Sequence, residues 1–156
     1  MSPEVYRNLK TFCQEKLAPL FKAVLVPREA PGKDSYGDLD FIAHSPTSTK
    51  STSAEHLKSV LGAEYFVKEE TFSFALPSHE GPLGIYRQVD LRVCGDEPKF
   101  ERFVFSYSDG DLGMILGIVA RTHGLSLGSK GLKVWFRSSP STDLHEKTPF
   151  NIAGSA

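Results

Sequence analysis

Cysteine is nearly missing from this chain. Cys13 and Cys94 stand far apart with no Cys-x-x-Cys pair, which argues against a thiolate zinc site or a disulfide scaffold and fits a reducing, intracellular setting, cytoplasmic or nuclear. Net charge is nearly missing too. Lys and Arg number 18 against 19 Asp and Glu, so no basic field marks a nucleic-acid binder and no acidic tail marks a basic partner. No apolar run approaches the roughly 18 residues that cross a bilayer. The first turns, with Glu4, Arg7 and Lys10, lack a signal-peptide core, so no membrane partner is expected. What remains is 156 residues with 40% hydrophobic side chains and no internal repeat. That is enough for one domain with its own core and too little for two. The domain is expected over residues 1–137, with 138–156 an irregular tail, a surface strap or the start of a truncated segment.

Helical and strand patterns alternate along the chain. Val5, Leu9, Phe12, Cys13, Leu17 and Leu20 recur at steps of three and four behind Ser2 and Pro3, so residues 3–18 read as an amphipathic helix that Pro19 ends or kinks. A short strand over Ala23–Val26 leads into the Pro- and Gly-rich loop PREAPGKDSYG, and a second strand covers Asp38–Ala43. The polar linker 45–53 caps a short helix, Ala54–Leu61, stopped by Gly62. Strand runs follow at Glu64–Val67, Thr71–Leu76 and Ile85–Val93, the last two as a hairpin. Phe100, Phe103 and Val104 suggest a short helix after Pro98 as a breaker. Residues 111–122 form a stronger helix with Met114, Ile115, Ile118 and Val119 as its core face, Asp109 or Asp111 as cap and Gly124 as stop. Leu132–Phe136 is a last strand, with Trp135 in the core or an interface. The fold class is therefore α+β, a mixed or antiparallel sheet flanked by helices.

Against that pattern, three aspartates stand at strand positions, where an unpaired carboxylate is costly. In YGDLDFIA, Asp38 and Asp40 point to one face while Leu39 and Phe41 pack on the other. In QVDLRV, Val89, Leu91 and Val93 face inward and Gln88, Asp90 and Arg92 outward, so Asp90 is able to meet the pair from a neighbouring strand. Three converging carboxylates repel unless cations neutralise them, and hard oxygen ligands suit Mg²⁺ or Mn²⁺. Two such ions about 4 Å apart are the usual device for activating a hydroxyl and steadying a leaving phosphate oxygen. Other polar groups read as structural. Asp109 and Asp111 suit helix caps, GSKG at 128–131 suits a turn better than a phosphate cradle, and His123 sits at a helix end beside the dipole. His44, His56, His79 and His145 share no ligand spacing.

Gly37-Asp38-Leu39-Asp40-Phe41 followed by Val89-Asp90-Leu91, in the order helix, short strand, loop, acidic strand and later acidic strand, resembles the nucleotidyltransferase fold of the DNA polymerase beta superfamily across residues 20–95. The segments SYSDGDLGMILG and GLSLGSKGL resemble parts of uncharacterised fungal proteins with the same Asp pattern. The resemblance implies a nucleotidyltransferase-like fold. It also implies Mg²⁺ or Mn²⁺ on Asp38, Asp40 and Asp90, and transfer of a nucleoside monophosphate from a triphosphate such as ATP to a hydroxyl of RNA, a small molecule or a protein. A near-neutral chain disfavours a large nucleic-acid acceptor.

The sequence departs from the family at one point. The Gly-Ser or Gly-Gly pair that holds the triphosphate is replaced by Val26-Pro27, and Pro27 has no N–H to offer. Arg28, Lys33, Ser35 and Gly37 are the substitute phosphate contacts in LVPREAPGKDSYG. The family's helical domain beyond the catalytic one is also missing, so the chain is either a piece or a minimal member whose homodimer completes the site. The alternatives are a degenerate module that binds a nucleotide or a protein without turnover, and a structural interaction domain with surface aspartates.

Overall fold

The computed structural model describes residues 1–78, 84–128, 131–135 and 149–151. Helix α1 covers Pro3–Leu17, with the Ser2 hydroxyl accepting from the Val5 N–H at its start. Pro19 falls in a 3-10 turn at Ala18–Leu20 that ends it. Strand β1 (Phe21–Leu25) begins two residues before the expected start, and β2 (Asp38–Pro46) runs three residues beyond the expected Ala43. Helix α2 (Ala54–Leu61) has the expected bounds, and Gly62 at φ 68° supplies the left-handed residue that stops it. Strands β3 (Tyr65–Lys68), β4 (Phe72–Pro77) and β5 (Tyr86–Cys94) follow within a residue or two of expectation.

These five strands form one mixed sheet in the order β1-β2-β5-β4-β3. The central pair β2 and β5 is parallel, and the other pairs are antiparallel, including the expected β4-β5 hairpin. One face is dry. Leu39, Phe41, Phe72, Phe74, Val89 and Leu91 pack there against Tyr6, Cys13 and Leu17 of α1 and Leu57 and Leu61 of α2. Phe12, expected on the buried side of α1, is instead 42% exposed. Both cysteines are buried free thiols, and burial pushes the Cys13 thiol up to about 12.

Only part of the second face is covered. Helix α3 (Glu97–Tyr107) packs Phe100 and Phe103 on Ile42 and Cys94. Pro98 does not break it but sits in its first turn, where a missing N–H costs nothing. Buried His44 lies tilted against Phe100 with ring centres 4.6 Å apart and shares a hydrogen bond of 2.9 Å with the Ser45 hydroxyl. Residues alternate along β2, so Asp38 and Asp40 share this face with Ile42 and His44.

Helix α4 (Leu112–Thr122) follows α3 at a bend of 97°. A small second sheet joins β6 (Leu125–Gly128), β7 (Gly131–Trp135) and β8 (Pro149–Asn151) in that order. Strands β6 and β8 fall outside the expected elements, and of residues 138–156 only Pro149–Asn151 is described. A second correction concerns α4, whose Met114, Ile115, Ile118 and Val119 are 50–59% exposed rather than core. The apolar stripe is real, but among the described residues it is only about half covered. Ser129 and Lys130 of the GSKG stretch, His79, Phe136, His145 and the side chain of Trp135 lie outside the described residues. Among the described residues no single helix is long and apolar enough to cross a membrane.

Candidate metal centre

The parallel register sets Asp40 directly beside Asp90, and Asp38 beside Gln88. One ligand oxygen from each of Asp38, Asp40 and Asp90 lies within 4.8 Å of the others, and among the described residues this is the one such group of His, Cys, Asp or Glu. Asp38 is exposed while Asp40 and Asp90 are half-buried. Gln88 steadies Asp90 by donating its side-chain amide to both carboxylate oxygens, at 3.2 and 3.0 Å.

Burial, then the like charges of Asp38 and Asp90, push the Asp40 carboxyl up to about 6 against an opposing pull from Lys33 and Arg92. Such a group gives up its proton only near neutrality, and a bound cation would favour the carboxylate. Oxygen-only donors with this excess of negative charge fit a hard divalent ion.

A cleft of about 650 Å³ opens over Asp38 and Asp40, walled by the loop between β1 and β2 and by the turn between α3 and α4. Tyr6 and Tyr36 stack inside it at 3.9 Å between ring centres, and Lys33 lies over Tyr36 at 4.9 Å. The Tyr6 hydroxyl donates to Glu29 at 2.7 Å, and Lys10 donates to the same oxygen at 2.9 Å. Burial and that hydrogen bond raise the Tyr6 hydroxyl well above its ordinary range. Burial acts to raise Glu29 as well, but the hydrogen bonds from Tyr6 and Lys10 hold it below its usual value.

The four expected phosphate contacts separate. Arg28 and Lys33 line the cleft, whereas exposed Ser35 and Gly37 do not. Arg28 is engaged by Asp109, donating from Nε and Nη2 at 2.7 Å each, and the hydrogen bonds raise Arg28 and lower Asp109. Asp109 is therefore no helix cap. It occupies the left-handed region at φ 60°, and its N–H donates to the Arg28 carbonyl at 2.6 Å. Asp111 does stand at the N-cap of α4, but its side chain makes no capping bond.

No protein-family model matches the chain, and no curated protein matches its sequence. The centre therefore stands on its geometry. Sequence reasoning found the three aspartates because strand alternation announces them. It missed Gln88 as their neighbour's support, Tyr6 and Glu29 in the cleft, and the Arg28–Asp109 pair, whose members are 81 residues apart. The one available signal was Gln88, two residues before Asp90 and therefore on its face.

Proposed function

We propose that the chain is a divalent-metal-dependent nucleotidyltransferase of the polymerase beta type, moving a nucleoside monophosphate from a nucleoside triphosphate to a hydroxyl acceptor. One observation carries this reading: three carboxylates from two adjacent parallel strands converge within 4.8 Å at the mouth of an open cleft. In the transfer, the acceptor oxygen bonds to the α-phosphorus, the bond to the pyrophosphate oxygen breaks, and the hydroxyl proton passes to a carboxylate or to water. Asp38 and Asp40 would hold Mg²⁺ or Mn²⁺ with Asp90 completing the set, and the ion supplies charge stabilisation of the phosphates when bound. Asp90, held by Gln88, is the group beside the acceptor proton. Lys33, with no ion pair among the described residues, is the cation free to meet a phosphate in the cleft.

A second reading has its own support. Arg28 is tied to Asp109, Ser35 and Gly37 stand off the cleft, and Pro27 in its wall lacks an N–H. A weak triphosphate cradle suits a module of this fold that binds without turnover.

Thermal unfolding with Mn²⁺ or Mg²⁺ and each ribonucleoside triphosphate, paired with pyrophosphate release, tests both readings. Ligand at a hundredfold excess over its Kd stabilises the native state by about 2.7 kcal/mol. A metal-dependent shift with pyrophosphate release, the release lost in Asp90→Asn, is the result expected of the enzyme. A shift without release in the wild type, even with RNA, a small alcohol and a protein supplied as hydroxyl acceptors, supports the binding module. No shift with any ion or nucleotide overturns both.

A further inference from the structure

A second cavity of about 360 Å³ lies on the far side of the α3 C-terminus from the first, and Ser106 and Tyr107 line both. Its floor is Arg92. That residue follows Asp90 by two on β5, so the two side chains share a face with Cα atoms roughly 6–7 Å apart. The Arg92 guanidinium is held flat by the Phe103 ring at 4.6 Å, and its side chain is only 21% exposed. Its ion-pair partner is Glu70 at 3.5 Å, and that carboxylate is 90% exposed. So long a contact to so exposed a side chain leaves most of the guanidinium's fork of donors without a firm acceptor among the described residues. Tyr107, stacked at a tilt on Phe103 at 5.7 Å, and Met114 supply apolar walls beside it. A half-buried guanidinium beside the exposed rings of Phe105 and Tyr107 is the chemistry that receives an anion carried on a flat ring.

We infer that this cavity is the acceptor subsite: Arg92 anchors the phosphate or carboxylate of a small aromatic alcohol whose ring packs by Phe105 and Tyr107 and whose hydroxyl reaches toward Asp90. The acceptor role rests on the transferase reading above, while the anion site itself does not. The cavity volume fits a one-ring compound rather than a polymer. Displacement of Glu70 by the ligand's anion is the competition that sets affinity.

Ligand-observed NMR with phenyl phosphate, phenylacetate and inorganic phosphate tests the inference, first in EDTA and then with Mn²⁺. In EDTA the ring-bearing anions bind the wild type, and binding weakens about tenfold or more in Arg92→Met. Glu70→Gln removes an exposed competitor at no risk to folding, and binding should tighten severalfold. Equal binding in wild type and Arg92→Met, or weakening in Lys33→Ala instead, overturns the inference, as does a preference for inorganic phosphate over both ring compounds. With Mn²⁺, paramagnetic broadening of the bound ring, lost in Asp38→Asn/Asp40→Asn, places it beside the metal centre. Arg92-dependent binding without such broadening keeps the anion site and removes its acceptor role, whereas failure of Mn²⁺ to bind at all is a failure of the metal reading.

Discussion

Asp40 is the residue where burial and like charge act together. Its carboxyl titrates at about 6 in the folded chain against an ordinary 3.8. The native state therefore binds that proton more tightly than the unfolded chain does. The stability it contributes is complete below pH 3.8 and is lost as the pH rises through about 6. In EDTA, the difference in urea midpoint between wild type and Asp40→Asn should change sign in favour of the variant as pH rises across that window. Saturating Mn²⁺ should restore the wild type's advantage at pH 7, because only the carboxylate form binds the ion. A difference that is flat with pH would show that the three carboxylates do not feel one another. The acidic strand residues were legible because a period of two assigns faces without knowledge of the partner strand. Arg28 was legible as a residue of the cleft but not as a tied one, since nothing near it in sequence announces Asp109.

Among the elements, the bent pair α3–α4 and the loop it meets define the cleft wall. The Arg28–Asp109 pair is exposed, so its loss should leave global stability almost unchanged. Asp109→Ala should instead speed amide hydrogen exchange of the Arg28 and Asp109 backbone, and unchanged exchange would show that the wall needs no such clasp. At the bend, a Cβ on Gly113 would collide with the Ser106 carbonyl oxygen. Gly113→Ala should therefore lower the unfolding free energy by about 1–3 kcal/mol, against the helix propensity of alanine. A rise in Tm would mean that the bend relaxes freely. Helix bounds were readable where caps are chemical, as at Ser2, Gly62 and Gly124. The exposure of Met114 and Ile118 was not, because periodicity tells which side of a helix is apolar and is silent on what lies against it. Strand β6 is a four-residue run, and β8 three, too short for alternation to stand out.

For the whole molecule, the sheet separates a dry face packed under α1 and α2 from a partly covered face that carries the three carboxylates. Leu57 is fully buried under the dry face, far from the carboxylates. Leu57→Ala should cost about 2–5 kcal/mol of stability, yet leave Mn²⁺ affinity unchanged at temperatures where the variant is folded. Equal loss of affinity would show that the faces are coupled through the strands. The α+β class was legible because element order alone implies it. The pairing of β2 with β5 was only implied, since α2, β3 and β4 intervene between them.

That pairing gives the molecule a clock. A chain in which β2 and β5 have not yet met carries three scattered aspartates with no more hold on an ion than any acidic peptide. A shift of one residue in their alignment turns Asp90 to the dry side. In stopped-flow experiments, Mn²⁺ should slow unfolding while leaving the refolding limb nearly untouched if the central strands join after the rate-limiting barrier, and should accelerate refolding if they join before it. The ion would thus date the moment at which the middle of the sheet closes.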